Sequence, residues 1–203
     1  MLVKICGITR MDDARVAVEC GASAVGFIFW PTGKRYIAPE RAREIVRMLP
    51  PFVTPVGVFV NETAAHVNDV ARLVGLGAVQ LHGDEEPEML DAVERPVVKA
   101  VGRVDADTAA RWPGRVMLLV DADDRVNRGG TGVRADWVAA ARVSASRRIV
   151  LAGGLTPDNV AEAVDAVRPF GIDVSSGVED APGIKNAGKI RALFEALRGR
   201  PRS

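Results

Sequence analysis

The segment Val3-Lys4-Ile5-Cys6-Gly7 begins the chain with a short apolar strand that ends in polar side chains. The same pattern returns in Val79-Gln80-Leu81-His82-Gly83, in Met117-Leu118-Leu119-Val120-Asp121 and in Ile172-Asp173-Val174-Ser175. A buried strand carries polar groups at low cost only where its end opens into a site that uses them. Parallel α/β enzymes place their chemistry at the carboxyl ends of their strands, so the pattern predicts such an enzyme.

Short apolar runs alternate along the chain with amphipathic helical patterns. The predicted strands cover residues 3–8, 24–30, 55–60, 77–82, 96–101, 116–121, 148–152 and 171–175. Most are apolar on both faces, as expected for parallel strands covered by helices. Between them lie stripes with helical spacing, such as Ala42, Ile45, Val46 and Leu49. Eight strand–helix repeats predict an α/β fold, a compact (β/α)8 TIM barrel that forms one domain over residues 1–203.

An open, doubly wound sheet is the alternative architecture. That fold usually has fewer strands and carries a glycine fingerprint after its first strand. Gly7-Ile8-Thr9 follows the first strand of this chain and does not match the fingerprint. The barrel is therefore favoured.

The composition limits the classes of partner and cofactor. The chain has 27 basic and 26 acidic side chains, which gives no electrostatic reason to expect nucleic acid or a membrane as partner. Two cysteines suit a reducing compartment, and the chain enters a strand at once without a signal-peptide pattern, so a cytoplasmic location is expected. The cysteines and the two histidines lack metal-ligand spacing, and nucleotide-binding motifs are missing from the sequence. We therefore expect neither a metal nor a cofactor.

Alternation along the strands predicts which polar side chains share the barrel interior. These are Lys4, Cys6, Gln80, His82, Asp173 and Ser175. Lys99 is also expected to point inward, and Asp173 is the first candidate carboxylate for a buried Lys4 or Lys99. Asp121 ends an apolar strand, where it is either paired with one of these lysines or used in chemistry.

Two glycine-rich loops predict a phosphate site. Gly153-Gly154-Leu155-Thr156-Pro157 follows strand seven, and Ser175-Ser176-Gly177-Val178-Glu179 follows strand eight. The loops after these strands often bind phosphate in barrels through backbone N–H groups, although glycine more commonly serves only a tight turn. The candidate ligands are Gly153, Gly154, Ser175, Ser176 and Gly177.

Two further loops are expected at the same end of the barrel. Gly129-Gly130-Thr131-Gly132, between residues 122 and 135, suits a mobile cover over a ligand or a plain surface loop. Arg35, in the loop after strand two, is able to receive a carboxylate through a bidentate fork.

Taken together, the motifs resemble the phosphoribosylanthranilate isomerases of tryptophan biosynthesis. The matching segments are Val3–Thr9, Val56–Asn61, Val79–Gly83, Asp121 with Gly129–Gly132 and Trp137, Gly153–Val160, and Asp173–Glu179. They follow in the order of the family from the first strand to the last. Gly33 departs from the pattern, because the family more often has serine at this position before the basic pair that includes Arg35.

The resemblance implies an Amadori rearrangement of N-(5'-phosphoribosyl)anthranilate by general acid–base catalysis. It implies that Asp121 is the general acid, that Cys6 is the general base, and that Arg35, His82 and Gln80 bind substrate. The substrate nitrogen supplies the electron sink, which agrees with the lack of cofactor motifs. Because a free thiol is mostly protonated at neutral pH, we expect nearby cations or the N–H dipoles of the loops to lower the pKa of Cys6.

Two other functions remain open at this stage. A histidine-pathway sugar isomerase performs the same rearrangement, but it uses an aspartate in place of Cys6 and needs a second phosphate site. A catalytically silent phosphate-binding barrel would need neither Cys6 nor Asp121. The sequence leaves the assembly open between a monomer and a homodimer.

Overall fold

A closed barrel forms the centre of the molecule. The computed structural model describes residues 1–102, 104–122 and 135–199. Within these residues, eight parallel strands follow one another around the barrel in sequence order, and the last strand pairs with the first. Lys4 lies opposite Asp173 at this closing pair. The predicted (β/α)8 barrel is confirmed, and the closing pair excludes the open doubly wound sheet.

The elements alternate as the sequence predicts. The strands are β1 (Leu2–Cys6), β2 (Ala24–Ile28), β3 (Thr54–Phe59), β4 (Ala78–Leu81), β5 (Val97–Val101), β6 (Met117–Val120), β7 (Ile149–Leu151) and β8 (Gly171–Val174). The α-helices are α1 (Met11–Cys20), α2 (Pro39–Val46), α3 (Ala64–Val74), α4 (Ala106–Arg111), α5 (Trp137–Ser144), α6 (Val160–Val167) and α7 (Ala187–Ala196). Short 3₁₀ helices cover Pro87–Asp91 and Ser176–Val178, and a hairpin of β9 (Glu179–Ala181) and β10 (Ile184–Lys185) precedes α7. Within the described residues, no helix has the length and apolar character needed to cross a membrane.

Side-chain alternation sorts the apolar residues into two layers. The larger layer lies between the strands and the helices and includes Val3, Ile5, Leu81 and Val174. The smaller layer fills the barrel interior and consists of Ala100, Leu119, Val150 and Ala152. The outward positions predicted for β1, β4 and β8 are thus confirmed, and the polar residues between them face the interior.

Lys99 lies on the other side of the sheet from the one expected. It shares a face of β5 with Val97 and Val101, which belong to the outer layer, so the prediction that Lys99 points inward is wrong. Its Nζ lies 2.7 Å from Glu85 Oε2 and donates to the carbonyl oxygen of Gly83 at 2.6 Å. Its carboxylate partner is therefore Glu85 rather than Asp173.

The Lys99–Glu85 pair ties together the loops that follow β3 and β4. The Glu85 carboxylate accepts hydrogen bonds from the backbone N–H groups of Asn61 and Gly83 as well as from Lys99. Both side chains are nearly inaccessible to solvent, with 6% of Lys99 and 3% of Glu85 exposed. The pair thus holds the carboxyl end of β4, where His82 leaves the strand.

Replacing one member of this buried pair is expected to destabilise the fold. Lys99→Met leaves the Glu85 carboxylate buried without its cation, and removing one partner of a buried ion pair typically costs about 3–5 kcal/mol. Urea denaturation monitored by circular dichroism measures the loss. Arg41→Gln, which removes the exposed pair with Glu44, is the control and should leave the midpoint nearly unchanged. Equal, small effects of both substitutions would contradict a structural role for Lys99.

Candidate active site

A cavity of about 560 Å³ opens at the carboxyl ends of the strands. Most of the predicted site residues line it: Cys6, Arg35, Gln80, His82, Asp121, Gly153, Gly154, Ser175 and Ser176. Gly177 is not part of this lining, because it packs against the backbone carbonyl of Leu155. The fold therefore brings the predicted acid, the predicted base and both glycine-rich loops to one cavity.

Cys6 owes its position to a glycine on the neighbouring strand. It is the last residue of β1, it pairs with Gly26 of β2, and only 6% of it is exposed. A Cβ atom at Gly26 would lie 2.8 Å from the Cys6 sulfur and 3.1 Å from Cε of Lys4. Any side chain at this position would displace the thiol, so the missing side chain of Gly26 makes room for Cys6.

The pKa of the Cys6 thiol is raised, not lowered. Burial is the largest cause and disfavours the thiolate. The Lys4 and Lys185 cations oppose this effect, whereas the Asp173 carboxylate adds to it. The cations expected from the sequence are present, but the prediction that they lower the pKa of Cys6 is wrong because desolvation outweighs them.

Lys4 links the base to the rest of the barrel interior. Its Nζ donates to Asp173 Oδ2 at 2.8 Å and to Gln80 Oε1 at 2.9 Å. Burial alone would lower the pKa of Lys4, but attraction to Asp173 and Cys6 outweighs burial and raises it. The predicted pairing of Lys4 with Asp173 is confirmed. Asp173 Oδ1 is buried and has no hydrogen-bond partner within the part of the chain that the structure describes.

Asp121 lies directly after β6 and faces His82. Its Oδ1 accepts a hydrogen bond from the backbone N–H of Ala122 at 2.8 Å, and its Oδ2 lies 3.4 Å from His82 Nε2. The other ring nitrogen of His82 lies 2.8 Å from Gln80 Nε2. Lys4 is paired with Asp173, and Lys99 is paired with Glu85. The expectation that one of these lysines neutralises Asp121 is therefore wrong.

Arg35 is buried and already engaged by a carboxylate of this chain. Glu179 accepts from Arg35 Nε at 2.9 Å and from Nη2 at 2.7 Å, a two-point contact along one edge of the guanidinium group. Lys185 Nζ donates to the same carboxylate at 2.7 Å. Burial alone would raise the pKa of Glu179, but the hydrogen bond from Arg35 and the charge of Lys185 lower it.

Sequence reasoning missed the roles of Glu179 and Lys185. Glu179 ends the glycine-rich segment after β8, so its place in that motif was a usable signal. Lys185 ends the hairpin of residues 179–185 between β8 and α7, which is too short to show any periodicity, and nothing local indicates that this lysine is buried. Its Nζ also donates to the carbonyl oxygen of Ser175 at 3.2 Å, which brings a cation beside the end of β8.

The two glycine-rich loops form one wall of the cavity. Gly153 and Gly154 have φ angles of 79° and 64°, a left-handed conformation that other residues adopt at a cost. Asn159 closes this loop, because its side chain accepts from the N–H of Thr156 at 2.8 Å and donates to the carbonyl oxygen of Gly154 at 2.9 Å. Ser175 Oγ donates to the Cys6 carbonyl oxygen at 3.1 Å, so the second loop is attached to the strand that carries the thiol.

The glycine run 129–132, predicted as a cover, lies outside the described residues. Among the residues that the structure does describe, no group of three or more His, Cys, Asp or Glu side chains is arranged to hold a metal ion.

Comparison with known proteins identifies the family. The family model described as N-(5'phosphoribosyl)anthranilate (PRA) isomerase matches residues 3–196. The chain belongs to this family. The N-(5'-phosphoribosyl)anthranilate isomerase of Geobacter sulfurreducens is 49% identical over 199 residues, which cover 97% of this chain and 98% of that protein.

Two solved structures add information on ligand and assembly. A phosphoribosylanthranilate isomerase in complex with reduced 1-(o-carboxyphenylamino)-1-deoxyribulose 5-phosphate is 44% identical, with a TM-score of 0.85 and coverage of 98% of this chain and 100% of that one. A structure of monomers generated from the dimeric isomerase of Thermotoga maritima is 42% identical, with a TM-score of 0.86 and the same coverage. Family membership selects the isomerase of tryptophan biosynthesis among the three functions left open by the sequence.

The raised pKa of Cys6 predicts slow thiol chemistry at neutral pH. In a Cys20→Ser background, the rate of Cys6 alkylation by iodoacetamide should rise with pH and reach its midpoint above about 8.5, the value of a free thiol. Lys4→Met removes a cation that favours the thiolate, so it should raise the pKa of Cys6 further and slow the reaction at each pH. A wild-type midpoint at or below the free-thiol value would contradict the dominance of burial.

Proposed function

We propose that this chain converts N-(5'-phosphoribosyl)anthranilate into 1-(2-carboxyphenylamino)-1-deoxyribulose 5-phosphate with Asp121 as general acid and Cys6 as general base. The observation that carries the assignment of roles is that a carboxyl group and a thiol from separate strands face one cavity. Asp173 neutralises Lys4 inside the barrel, and Glu85 neutralises Lys99 on the outer side of the sheet. Asp121 is therefore not needed to neutralise either lysine. General acid–base catalysis by two positioned groups needs no other reactive group.

The first step opens the furanose ring. Asp121 donates its proton to the ring oxygen while the anilino nitrogen lone pair forms a double bond to C1 and the bond from C1 to the ring oxygen breaks. The product is an open-chain iminium ion with a hydroxyl group at C4 and an Asp121 carboxylate. His82 lies next to Asp121 Oδ2, where it is able to donate a hydrogen bond to that carboxylate.

The second step removes the proton from C2. The Cys6 thiolate takes it, the electron pair forms the C1–C2 double bond, and the nitrogen recovers its lone pair to give an enolamine. Transfer of a proton to C1 and loss of the C2 hydroxyl proton then give the ketone. If Cys6 returns its proton to C1 and Asp121 takes the hydroxyl proton, Cys6 ends as the thiolate and Asp121 as the carboxylic acid, and the thiolate recovers its proton from solvent when the product leaves.

The positive charge of the iminium intermediate counteracts the raised pKa of Cys6. Burial disfavours the thiolate in the free protein. The iminium ion places a positive charge beside the sulfur at the stage when the base has to act, and an adjacent cation favours the thiolate. The thiol thus releases its proton to solvent as the iminium ion forms, and before that stage the protonated, buried thiol reacts slowly with other electrophiles.

The rest of the cavity holds the two ends of the substrate. The backbone N–H groups of Gly153, Gly154, Ser175 and Ser176, which line the cavity, bind the phosphate, as loops after the last two strands of such barrels often do, and Gly177 packs behind them against Leu155. Arg35 receives the anthranilate carboxylate, whereas His82 lies beside Asp121 and is held by Gln80 through its other ring nitrogen. Because Glu179 occupies one edge of the Arg35 guanidinium, the substrate carboxylate binds another edge or displaces Glu179.

The assembly and the location of the chain are proposals supported by a relative and by the composition. The Thermotoga maritima relative is described as dimeric, which supports a homodimer over a monomer for this chain. The absence of a charge imbalance gives no reason to add nucleic acid as a partner. The cytoplasmic location stays a prediction from the sequence.

Removing the acid or the base should abolish most turnover without unfolding the protein. Cys6→Ser and Asp121→Asn are each expected to lower kcat by about 10²- to 10⁴-fold, the contribution of a positioned acid–base group. The loss of anthranilate-derivative fluorescence, with substrate made in situ, measures turnover. Cys20→Ser, which replaces the half-buried thiol at the end of α1, is the matched control and should retain activity. Near-wild-type turnover of either site variant would remove that residue from the mechanism.

Replacing Arg35 should weaken binding of the anthranilate end of the substrate but not of the sugar phosphate end. Arg35→Ala is expected to raise KM by about 10- to 100-fold, because a hydrogen bond to a charged group contributes about 1.5–3 kcal/mol. Inhibition by ribose 5-phosphate, which lacks the anthranilate carboxylate, should change little. Arg35→Lys keeps the charge without the two-point fork and should give an intermediate KM. An equal loss of affinity for substrate and sugar phosphate would reject the assignment.

A further inference from the structure

A continuous row of polar side chains crosses the barrel interior beneath the cavity, from the closing strand pair to the acid. It runs from Asp173 through Lys4, Gln80 and His82 to Asp121. The successive distances are 2.8 Å from Asp173 to Lys4, 2.9 Å from Lys4 to Gln80, 2.8 Å from Gln80 to His82 and 3.4 Å from His82 to Asp121. The first four residues come from β8, β1 and the end of β4, so the barrel itself sets their spacing.

Lys4 determines which atoms donate and which accept in the hydrogen bonds of this row. An ammonium group only donates hydrogen bonds, so the Gln80 atom that faces Lys4 has to be the amide oxygen. The amide nitrogen of Gln80 then faces His82 Nδ1 and donates to it. The usual ambiguity between the two ends of a glutamine amide is therefore removed by the chemistry of its neighbour.

This direction decides which ring nitrogen of His82 carries the proton. Nδ1 accepts from Gln80, so the proton of the neutral ring resides on Nε2, the nitrogen 3.4 Å from Asp121 Oδ2. We infer that Gln80, oriented by Lys4, is a positioning residue that fixes His82 as the Nε2–H tautomer, so that His82 only donates towards Asp121. The inference rests on the proposed role of Asp121 as general acid and assigns the interior row a part in that role.

The tautomer matters because the acid has to keep its proton for the substrate. With a lone pair on Nε2, His82 would offer the proton of the Asp121 carboxyl group an acceptor other than the ring oxygen. With a proton on Nε2, that transfer has no acceptor. As Asp121 gives up its proton, the hydrogen bond from Nε2–H becomes charge-assisted and stronger. An interaction that strengthens towards the transition state raises kcat rather than affinity.

The tautomer is directly measurable in the wild-type protein. Two-dimensional ¹H–¹⁵N spectra of protein labelled at histidine distinguish the ring nitrogen that bears the proton from the one that does not. The chain has only one other histidine, His66 at the start of α3, and a His66→Gln variant assigns the signals. We expect the His82 proton on Nε2 in the substrate-free protein. A proton on Nδ1 would overturn the inference, even if no variant of Gln80 folds.

Gln80→Glu tests the consequence for catalysis. The replacement has nearly the same shape, but its carboxylate accepts from His82 where the amide donates, so the proton should move to Nδ1. We expect kcat to fall by about 10- to 100-fold, the usual loss when the partner that orients an active-site histidine is removed, with KM within a few-fold of wild type. Gln80→Met, which removes the amide without adding charge, should leave mixed tautomers and lower kcat as well.

The outcomes separate this inference from the proposed function. A reversed tautomer in Gln80→Glu with unchanged kcat would overturn the positioning role while the isomerase stands. A loss confined to KM would show that Gln80 contacts substrate, which also overturns it. A wild-type protein without turnover refutes the proposed function, and the tautomer measurement does not depend on that result.

Discussion

The ion pair between Lys4 and Asp173 lies where the barrel closes, because β1 and β8 are the first and last strands and these two residues are partners in their register. A charge inside a barrel is tolerated only with a partner that is close and fully engaged. Closure supplies that partner from the far end of the sequence. Once paired, Lys4 has donors left for Gln80 and lies next to Cys6, so the position of the base and the direction of the interior row both depend on this contact.

The thiol lies among cations that are already neutralised. Lys4 is paired with Asp173, and Lys185 is paired with Glu179, so each positive charge near the sulfur is accompanied by a carboxylate of the same chain. The field that reaches Cys6 is the difference between these charges, whereas the cost of burying a thiolate is undiminished. This arrangement explains why desolvation dominates the pKa of Cys6. The positive charge of the reacting substrate, unlike those of the two lysines, has no carboxylate partner beside the sulfur.

Periodicity and strand-end chemistry predicted the barrel and most of the cavity lining, and the failures have identifiable causes. Strand β5 has apolar residues on both faces, with Val97 and Val101 on one and Val98 and Ala100 on the other, so alternation did not reveal the side on which Lys99 lies. Glu179 and Lys185 act through contacts between the β9–β10 hairpin and Arg35, which are remote in sequence. The sign of the pKa shift at Cys6 depends on the sum of burial and the charges of Lys4, Asp173 and Lys185, which a local motif does not contain.

Gly26 indicates how far this barrel tolerates change over evolutionary time. A single methyl group there would occupy space that belongs to the sulfur, while Val25 and Phe27 on either side face the helices and are able to exchange volume with them. Substitutions in strand β2 are therefore tolerated at the positions that face the helices, such as Val25 and Phe27, and not at Gly26. Redesign of the scaffold for another sugar rearrangement has to begin in the loops, or else replace the thiol and its neighbouring glycine together.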